Sequence, residues 1–395
     1  MKNFYRYLIN FICLFYSKKI RRKKRTHFLL LPTIRKKNRE SKSSYKAFTK
    51  ENCKESTVLI VEPNPYHFEI LPGFVNYFQL LGYKVEIMAQ PVITEDSPFV
   101  KFSSQPKIYT LSAKYQKKAL GLENINKYDF VFLSSSVLWA DNIRDSYLNW
   151  LGFIPNSKNG VLLVEHNVIP YLKDYKHDRF LNQNRLFTLA GQENTPMLNP
   201  HYFGEIPSTN KSNENIFVAV VNTKENIDLL YSACRKLISE NITNFKLKIA
   251  GRTAVNQIPS DLENYISLTG FITFKELWDI YKNADYLIPM LNPEISHHIR
   301  FKSGSVTGSW QIMLGFKKPM IIHKDYCNYY RLNEENAIIY NANSQMYKAI
   351  KEGINLSDKK YNMIQHHIEH LAKDISEMSL LNLRNSIEAI VSNPL

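Results

Sequence analysis

Apolar residues recur along this chain at two periods. Val58-Leu59-Ile60-Val61 is a continuous, β-branched run that ends at the turn signal Glu62-Pro63-Asn64-Pro65. Leu71, Phe74, Val75, Phe78 and Leu81 follow at helical spacing until Gly82. Lys84-Val85-Glu86-Ile87-Met88 reads as the next strand, so the segment predicts a βαβ unit. Further strands are predicted at Phe130-Val131-Phe132-Leu133, Val161-Leu162-Leu163-Val164 and Leu186-Phe187-Thr188-Leu189. These runs do not alternate, which is the pattern of strands covered on both faces of a parallel sheet.

A second array opens after the polar stretch Pro207-Ser208-Thr209-Asn210-Lys211-Ser212-Asn213, which reads as an interdomain linker. Strands are predicted at 216–221, 245–250, 285–289, 319–322 and 337–340. Helices are predicted between them, including 227–237, 274–282 and 309–314. No short internal repeat stands out. Two successive arrays predict an α/β chain of two Rossmann-like, doubly wound domains facing a cleft. The expected division is 51–205 for the N-terminal domain and 206–358 for the C-terminal one. Residues 359–395 read as helices packing back on the N-terminal domain. Ligands of such sheets sit beyond the carboxyl ends of the strands, so chemistry is sought there.

Charge changes the picture at one end only. The net charge is +15 over 395 residues. Residues 1–50 hold 16 Lys and Arg against a single acid, Glu40, and the remainder balances at 35 of each sign. A nucleic-acid-binding domain carries its basic patch on the folded body. A charged arm on a neutral body reads as a tether. Within the arm, Phe4, Leu8, Phe11, Ile12 and Phe15 share one helical face, and a basic run follows from Lys18 to Arg25. The apolar stretch is shorter than the roughly 20 residues that span a bilayer. The expectation is an interfacial helix with a polybasic segment, holding residues 1–40 to an anionic membrane from the cytoplasmic side. A disordered, solvated tail is one rival reading; a secretory signal is another, and a basic block stands where the exported part should begin. Residues 1–50 are thus taken as arm and linker, the polar stretch from Ser41 to Ser56 being the linker. Cys13, Cys53, Cys234 and Cys327 are widely spaced, as expected of reduced structural thiols.

Several segments in the second half carry a likeness in order. They are Thr223-Lys224-Glu225-Asn226 before a helix, Ile249-Ala250-Gly251-Arg252 at a strand end, and Leu268-Thr269-Gly270-Phe271-Ile272. Glu276-Leu277, Tyr281-Lys282-Asn283-Ala284-Asp285-Tyr286, Lys302-Ser303-Gly304-Ser305 and Leu314-Gly315-Phe316-Lys317-Lys318-Pro319 complete the set. Over about 216–345 the chain resembles the nucleotide-sugar-binding half of GT-B glycosyltransferases, especially bacterial enzymes of surface-polysaccharide synthesis. The N-terminal half is similar more loosely, through Glu165-His166-Asn167 and Asn199-Pro200-His201-Tyr202-Phe203-Gly204. Two departures stand out. The E-x7-E acid pair that many retaining members carry before the G-x-P turn is absent. Glu225 stands directly before Asn226, where the family has a basic residue.

The resemblance implies transfer of a sugar from a nucleotide-diphosphate donor to a membrane-associated glycan or lipid-linked acceptor. It implies no cofactor and no obligatory metal, and no D-x-D motif occurs in the chain. A diphosphate leaving group needs cations or aimed N–H groups. Arg300, Lys302, Ser303, Gly304 and Ser305 are the expected phosphate site, with Lys224 and Arg252 as further cations at strand ends. The competing reading of 300–305 is a Ser/Gly turn with two surface cations. His166, with Glu165, is the candidate catalytic residue, either as a hydrogen-bond partner of the sugar or as a base. His67 and Glu69 are candidate acceptor contacts, and His298 and Glu294 lie near the donor loop. A G-x-G-x-x-G turn, a P-loop, a G-x-S-x-G elbow and H-E-x-x-H are all absent from the sequence. Two alternatives stay open: a GT-B-like module that binds sugar or nucleotide without transfer, and a nucleic-acid binder using the arm.

Overall fold

The structure is a computed structural model. It describes residues 36, 38–50, 56–64, 67–94, 96–102, 105–121, 123–135, 137–138, 145–146, 160–167, 180, 184–192, 195–220, 223–251 and 257–392. Of the arm expected over 1–40, residues 1–35 and 37 lie outside the described residues, as do Cys13 and Cys53.

Residues 38–50 form a helix, α1. The first sheet then collects β1 (Thr57–Val61), β2 (Lys84–Ala89), β3 (Lys107–Thr110) and β4 (Phe130–Leu133). A small antiparallel pair, β5 (Val137–Leu138) with β6 (Asp145–Ser146), precedes β7 (Val161–Glu165) and β8 (Leu186–Thr188). Helices α2 (Leu71–Leu80) and α3 (Ala113–Leu120) belong to this half. The second half holds β9 (Ile216–Val220), α4 (Lys224–Ser239), β10 (Lys246–Ala250), β11 (Ile266–Gly270), α5 (Phe274–Asn283) and β12 (Tyr286–Ile288). It continues with α6 (Gly308–Phe316), β13 (Met320–His323), α7 (Lys324–Cys327), β14 (Ala337–Tyr340), α8 (Met346–Asn355) and α9 (Asp358–Ser392).

Both large sheets are parallel throughout and have the same winding. The orders are β3-β2-β1-β4-β7-β8 and β11-β10-β9-β12-β13-β14. Each sheet therefore reverses direction between its first and fourth strand, which opens a crevice at the carboxyl ends of β1/β4 and of β9/β12. Five-residue runs such as Thr57–Val61 and Val161–Glu165 are buried along their whole length. That burial is why they read as unbroken apolar runs. The α/β, doubly wound expectation holds for both halves.

Several local readings change. The linker expected over 41–56 is largely the helix α1. Its Ser41 and Phe48 are fully buried, and Tyr45 packs on Tyr115 with ring centroids 5.6 Å apart. Positions 41, 44, 45 and 48 face inward, and two of the four are serines, too weak an apolar stripe to mark a helix in so polar a stretch. The edge strand β3 and the helix α8 were not expected. The strand read at 285–289 is shortened to Tyr286–Ile288. Asp285 instead takes its carboxylate to the backbone N–H groups of Ser212 and Ile216, at 2.8 and 2.6 Å, and so ties the 207–213 segment to β9.

The long helix α9 touches both halves. Ile364, Ile368, Ala372 and Ile375 lie in the core around α6, whereas Leu383, Ile387 and Ile390 lie in the core beneath β1 and β2. Between those stretches the chain crosses at 199–204. Asn199 N–H donates to Ser379 Oγ at 3.0 Å, and Tyr77 Oη donates to the Asn199 carbonyl at 2.7 Å. Phe203 sits against Trp278 and Phe316 at centroid distances of 5.0 and 5.6 Å. Helix α6 can approach this segment because residue 315 has no side chain. A Cβ there would lie 2.3 Å from the His201 carbonyl oxygen and 2.5 Å from the Phe203 ring. Gly315→Ala is therefore expected to destabilise the fold by about 2 kcal/mol. A lowered thermal midpoint checks this, and an unchanged midpoint would show that the segment yields freely.

Candidate functional site

The crevice of the N-terminal sheet is organised by Glu62, the residue that follows β1. It is fully buried. One carboxylate oxygen accepts the Asn64 N–H at 2.8 Å, and the other accepts the hydroxyls of Ser134 and Ser135, each at 2.7 Å. The serines follow β4, so Glu62 joins the two strand ends that flank the switch point. Burial pushes its pKa up to about 7, against opposing contributions from His67 and these hydrogen bonds.

Two histidines stand above this carboxyl group. His166, just past β7, has Nε2 2.8 Å from the Ser134 carbonyl oxygen. A carbonyl only accepts, so Nε2 carries the proton and Nδ1 the lone pair. Burial, followed by the nearby His67, drives its pKa down to about 3, and it stays neutral. His67 precedes the single 3-10 turn Phe68–Ile70 and adopts the left-handed conformation, with φ 67° and ψ 23°. This left-handed residue turns the chain from the end of β1 into the 3-10 segment, as six other described non-glycine residues do at their own turns. Its Nδ1 lies 3.5 Å from Glu69 Oε1, and its ring lies 4.8 Å from the His166 ring. Burial lowers the His67 pKa, but the Glu69 hydrogen bond and the charges of Glu69 and Glu62 outweigh it, so the pKa is raised above 6.5. Burial likewise works to raise the Glu69 pKa, and the His67 contact outweighs it, leaving Glu69 below 4.5.

The C-terminal domain meets the chain one residue past His166. Asn167 and Ser305 form an antiparallel bridge, and Ser305 Oγ donates to Asn167 Oδ1 at 2.9 Å. A second fastening lies at the N-terminus of α5, where the Phe274 N–H donates to the Asp96 carboxylate, 2.8 Å from each oxygen. An acid at this position also suits the positive end of the helix dipole.

The structure thus gathers His166, His67, Glu69 and Ser305 from the sequence-derived candidates. The others are placed as follows. Glu165 is buried, and its Oε1 accepts the N–H of Asn167 at 2.7 Å, within its own turn. Arg300 and Lys302 end the 3-10 stretch Ser296–Lys302. The Arg300 carbonyl accepts the N–H groups of Ser303, Gly304 and Ser305 at 3.5, 2.8 and 2.9 Å. The N–H groups expected to be open to phosphate are therefore engaged within the loop. Helix α6 starts later, at Gly308, capped by Thr307. Lys302 Nζ lies 2.6 Å from Asp325 Oδ2. His298 is buried and its Nδ1 accepts the Asn292 N–H at 3.0 Å, while Glu294 is exposed one turn away. Lys224 is exposed at the first position of α4. Arg252 lies outside the described residues.

Glu62, Ser134, Ser135, Asn167 and Asp96 were missed. Glu62 carried a signal, since it directly follows a buried strand. Asp96 carried none, because its partner is 178 positions away. Among the described residues, no group of three or more His, Cys, Asp or Glu could hold a metal ion. No helix among them is long and apolar enough to cross a membrane.

No family model and no curated protein matches the chain by sequence. Among solved structures it is similar to Anabaena Alr3699/HepE in complex with UDP and glucose. The TM-score is 0.53 at 10% identity, over 86% of this chain and 100% of that one. The same Anabaena protein in complex with UDP-glucose gives a TM-score of 0.51 at 10% identity, over 85% and 100% of the two chains. At that identity the likeness is one of fold, and the architecture is GT-B, two Rossmann-like domains across a cleft.

Glu62 holds its proton up to about pH 7 in the fold, compared with 4.5 for an ordinary carboxyl. The stability contributed by that proton is complete below pH 4.5 and is lost as pH rises through 7. The stability of the wild type relative to Glu62→Gln should therefore fall across this window, by at most about 1.4 kcal/mol per pH unit. Denaturation midpoints of both proteins from pH 4.5 to 8 test this, and a difference independent of pH would contradict it.

Proposed function

We propose that this chain is a glycosyltransferase that moves a sugar from a nucleotide-diphosphate donor to a glycan or lipid-linked acceptor. The observation that carries the reading is the His67–Glu69 pair at the N-terminal switch point, beside the Asn167–Ser305 bridge between the domains. An acceptor hydroxyl at His67 would give its proton to Nε2 as its oxygen attacks the anomeric carbon. Glu69, on Nδ1, holds the ring in place and offsets the imidazolium charge. The bond from the anomeric carbon to the diphosphate breaks, and the diphosphate leaves with the electron pair. A single displacement of this kind inverts the anomeric configuration. His166 is neutral, with its Nδ1 lone pair available to accept a sugar or acceptor hydroxyl.

The leaving group would be met from the C-terminal side by Lys224, Arg300 and Lys302 and by the N-terminus of α6. Lys302 must exchange its Asp325 partner for phosphate to take part. On this reading side-chain cations and helix N–H groups stabilise the leaving group without a metal ion, and transfer persists in a chelator. The fold similarity to a protein described with UDP-glucose makes UDP-sugars the first donors to try. The non-catalytic alternative leaves the His67–Glu69 pair without a purpose.

We further propose that residues 1–40 keep the enzyme at the cytoplasmic face of an anionic membrane, where lipid-linked acceptors of cell-surface polysaccharide synthesis reside. The support is the basic excess confined to the arm. Liposome co-sedimentation tests it. Binding to anionic vesicles should be lost on deleting 1–35, and binding that survives the deletion would place the contact elsewhere.

His67→Ala is expected to lower kcat by about 10²–10⁴-fold while nucleotide binding, read by calorimetry, changes little. Because His67 must be unprotonated to act, kcat/KM should rise with pH through a value above 6.5. Glu69→Gln removes the main cause of that raised pKa and should move the rise to lower pH. Full turnover in His67→Ala would remove the base assignment.

A further inference from the structure

Helix α9 carries a pair of histidines that the proposed reaction does not use. His366 and His370 are both exposed, one turn apart on the same face. Their Nε2 atoms are 3.0 Å apart, and their rings are nearly perpendicular at a centroid distance of 4.3 Å. The two nitrogens thus face each other across the helix surface. In the neutral pair one Nε2–H donates to the lone pair of the other. Moving that proton to Nδ1 of the same ring, through solvent, leaves two lone pairs on nitrogens 3.0 Å apart, and turning the two exposed rings outward aims both at one ion.

We propose that His366 and His370 form a binding site for a divalent late transition-metal ion of tetragonal preference, with Cu2+ the best fit. Imidazole nitrogens suit copper, nickel and zinc alike, so geometry decides among them. With metal–nitrogen bonds of about 2.0–2.1 Å, a 3.0 Å separation corresponds to a bite angle of about 94°. This is close to the roughly 90° between neighbouring square-planar or octahedral positions and well short of the roughly 109° of a tetrahedral zinc site. Copper also stands highest in the divalent affinity order.

The surroundings leave the remaining positions to water. Glu369 is drawn to Lys317 at 3.2 Å, and Lys373 pairs with Glu377 at 3.9 Å. His367 is half-buried, and its ring lies 6.3 Å from that of His366. Met363 and Asp374 are exposed one turn before and one turn after the pair. The site therefore has two protein ligands and open positions. It spans the turn of α9 between Ile364 and Ile368, packed on the C-terminal core, and Ala372, whose carbonyl lies 3.0 Å from His201 Nε2. An ion bound to both rings fixes that turn in its helical form and stabilises the folded chain.

The test uses the full chain, free of any tag, with Cu2+ as probe and glycine as competing chelator. The expected result is one ion per chain, with a paramagnetic resonance spectrum of tetragonal Cu2+ bound by two imidazole nitrogens and a raised thermal midpoint. His366→Ala or His370→Ala should each weaken binding at least 10-fold, whereas His367→Ala should leave it unchanged. Nickel should bind more weakly, and zinc more weakly than copper. Tight copper that survives when His366→Ala and His370→Ala are combined, no retained copper, or zinc bound as tightly as copper would each overturn the assignment. Sugar transfer enters none of these readouts, so the outcome is independent of the proposed reaction.

Discussion

Glu62 receives hydrogen bonds from both sides of the point where the N-terminal sheet reverses its winding, and the site depends on that contact. The chain leaves β1 toward one face and β4 toward the other, so nothing in the sheet itself joins the two ends. The carboxyl group does, through Asn64 on one side and Ser134 and Ser135 on the other. Holding Ser134 also holds its carbonyl, which selects the tautomer of His166. A buried acid with three donors is costly to desolvate and more costly to leave without partners. Its geometry is correspondingly well determined, and the loops above it inherit that definition.

The cleft is completed from the other domain by contacts that are few but specific. Asn167 meets Ser305, and Asp96 meets the first N–H of α5. Behind them, α9 lies in both hydrophobic cores, and the crossing segment 199–204 is fixed by Tyr77, Ser379 and the close approach of Gly315. Polar links at the mouth and apolar packing at the back suit two bodies that share a site. Hydrogen bonds of the first kind exchange readily with water or ligand, whereas buried apolar area does not.

Much of the fold was legible because parallel strands buried on both faces must be continuous apolar runs, and β1, β4, β7, β9 and β13 are such runs. The helices α2, α4 and α5 followed from their 3.6-residue stripes. Helix α1 and strand β3 were hidden for the opposite reason. Each buries only a few side chains, Phe48 and Tyr109 among them, so composition outweighs period. The site was legible in part. Position after a strand singled out His166, His67 and Glu69, but the same rule applied to Glu62 returned only a turn. The loop 300–305 shows where spacing misleads. Its small residues are present, yet the Arg300 carbonyl takes up the N–H groups that an anion would need. Whether a backbone donor is open depends on the local backbone conformation, which residue types alone do not encode.

The two histidines show how the surroundings separate roles that sequence treats as equal. Rings 4.8 Å apart cannot both hold a proton cheaply, because each charge disfavours the other. Here the conflict is settled before any ligand arrives. His166 faces a carbonyl from a half-buried position, and desolvation holds its pKa down to about 3, so it stays neutral. His67 faces Glu69 and keeps the greater proton affinity. A pair whose affinities are pushed apart in this way has one member fit to take up a proton and one fit only to orient a partner. The sequence reading made His166 the candidate catalytic residue, either as a hydrogen-bond partner of the sugar or as a base. On the proposed reading the carboxylate beside His67 moves the base's part to His67, since a base must hold the proton it removes.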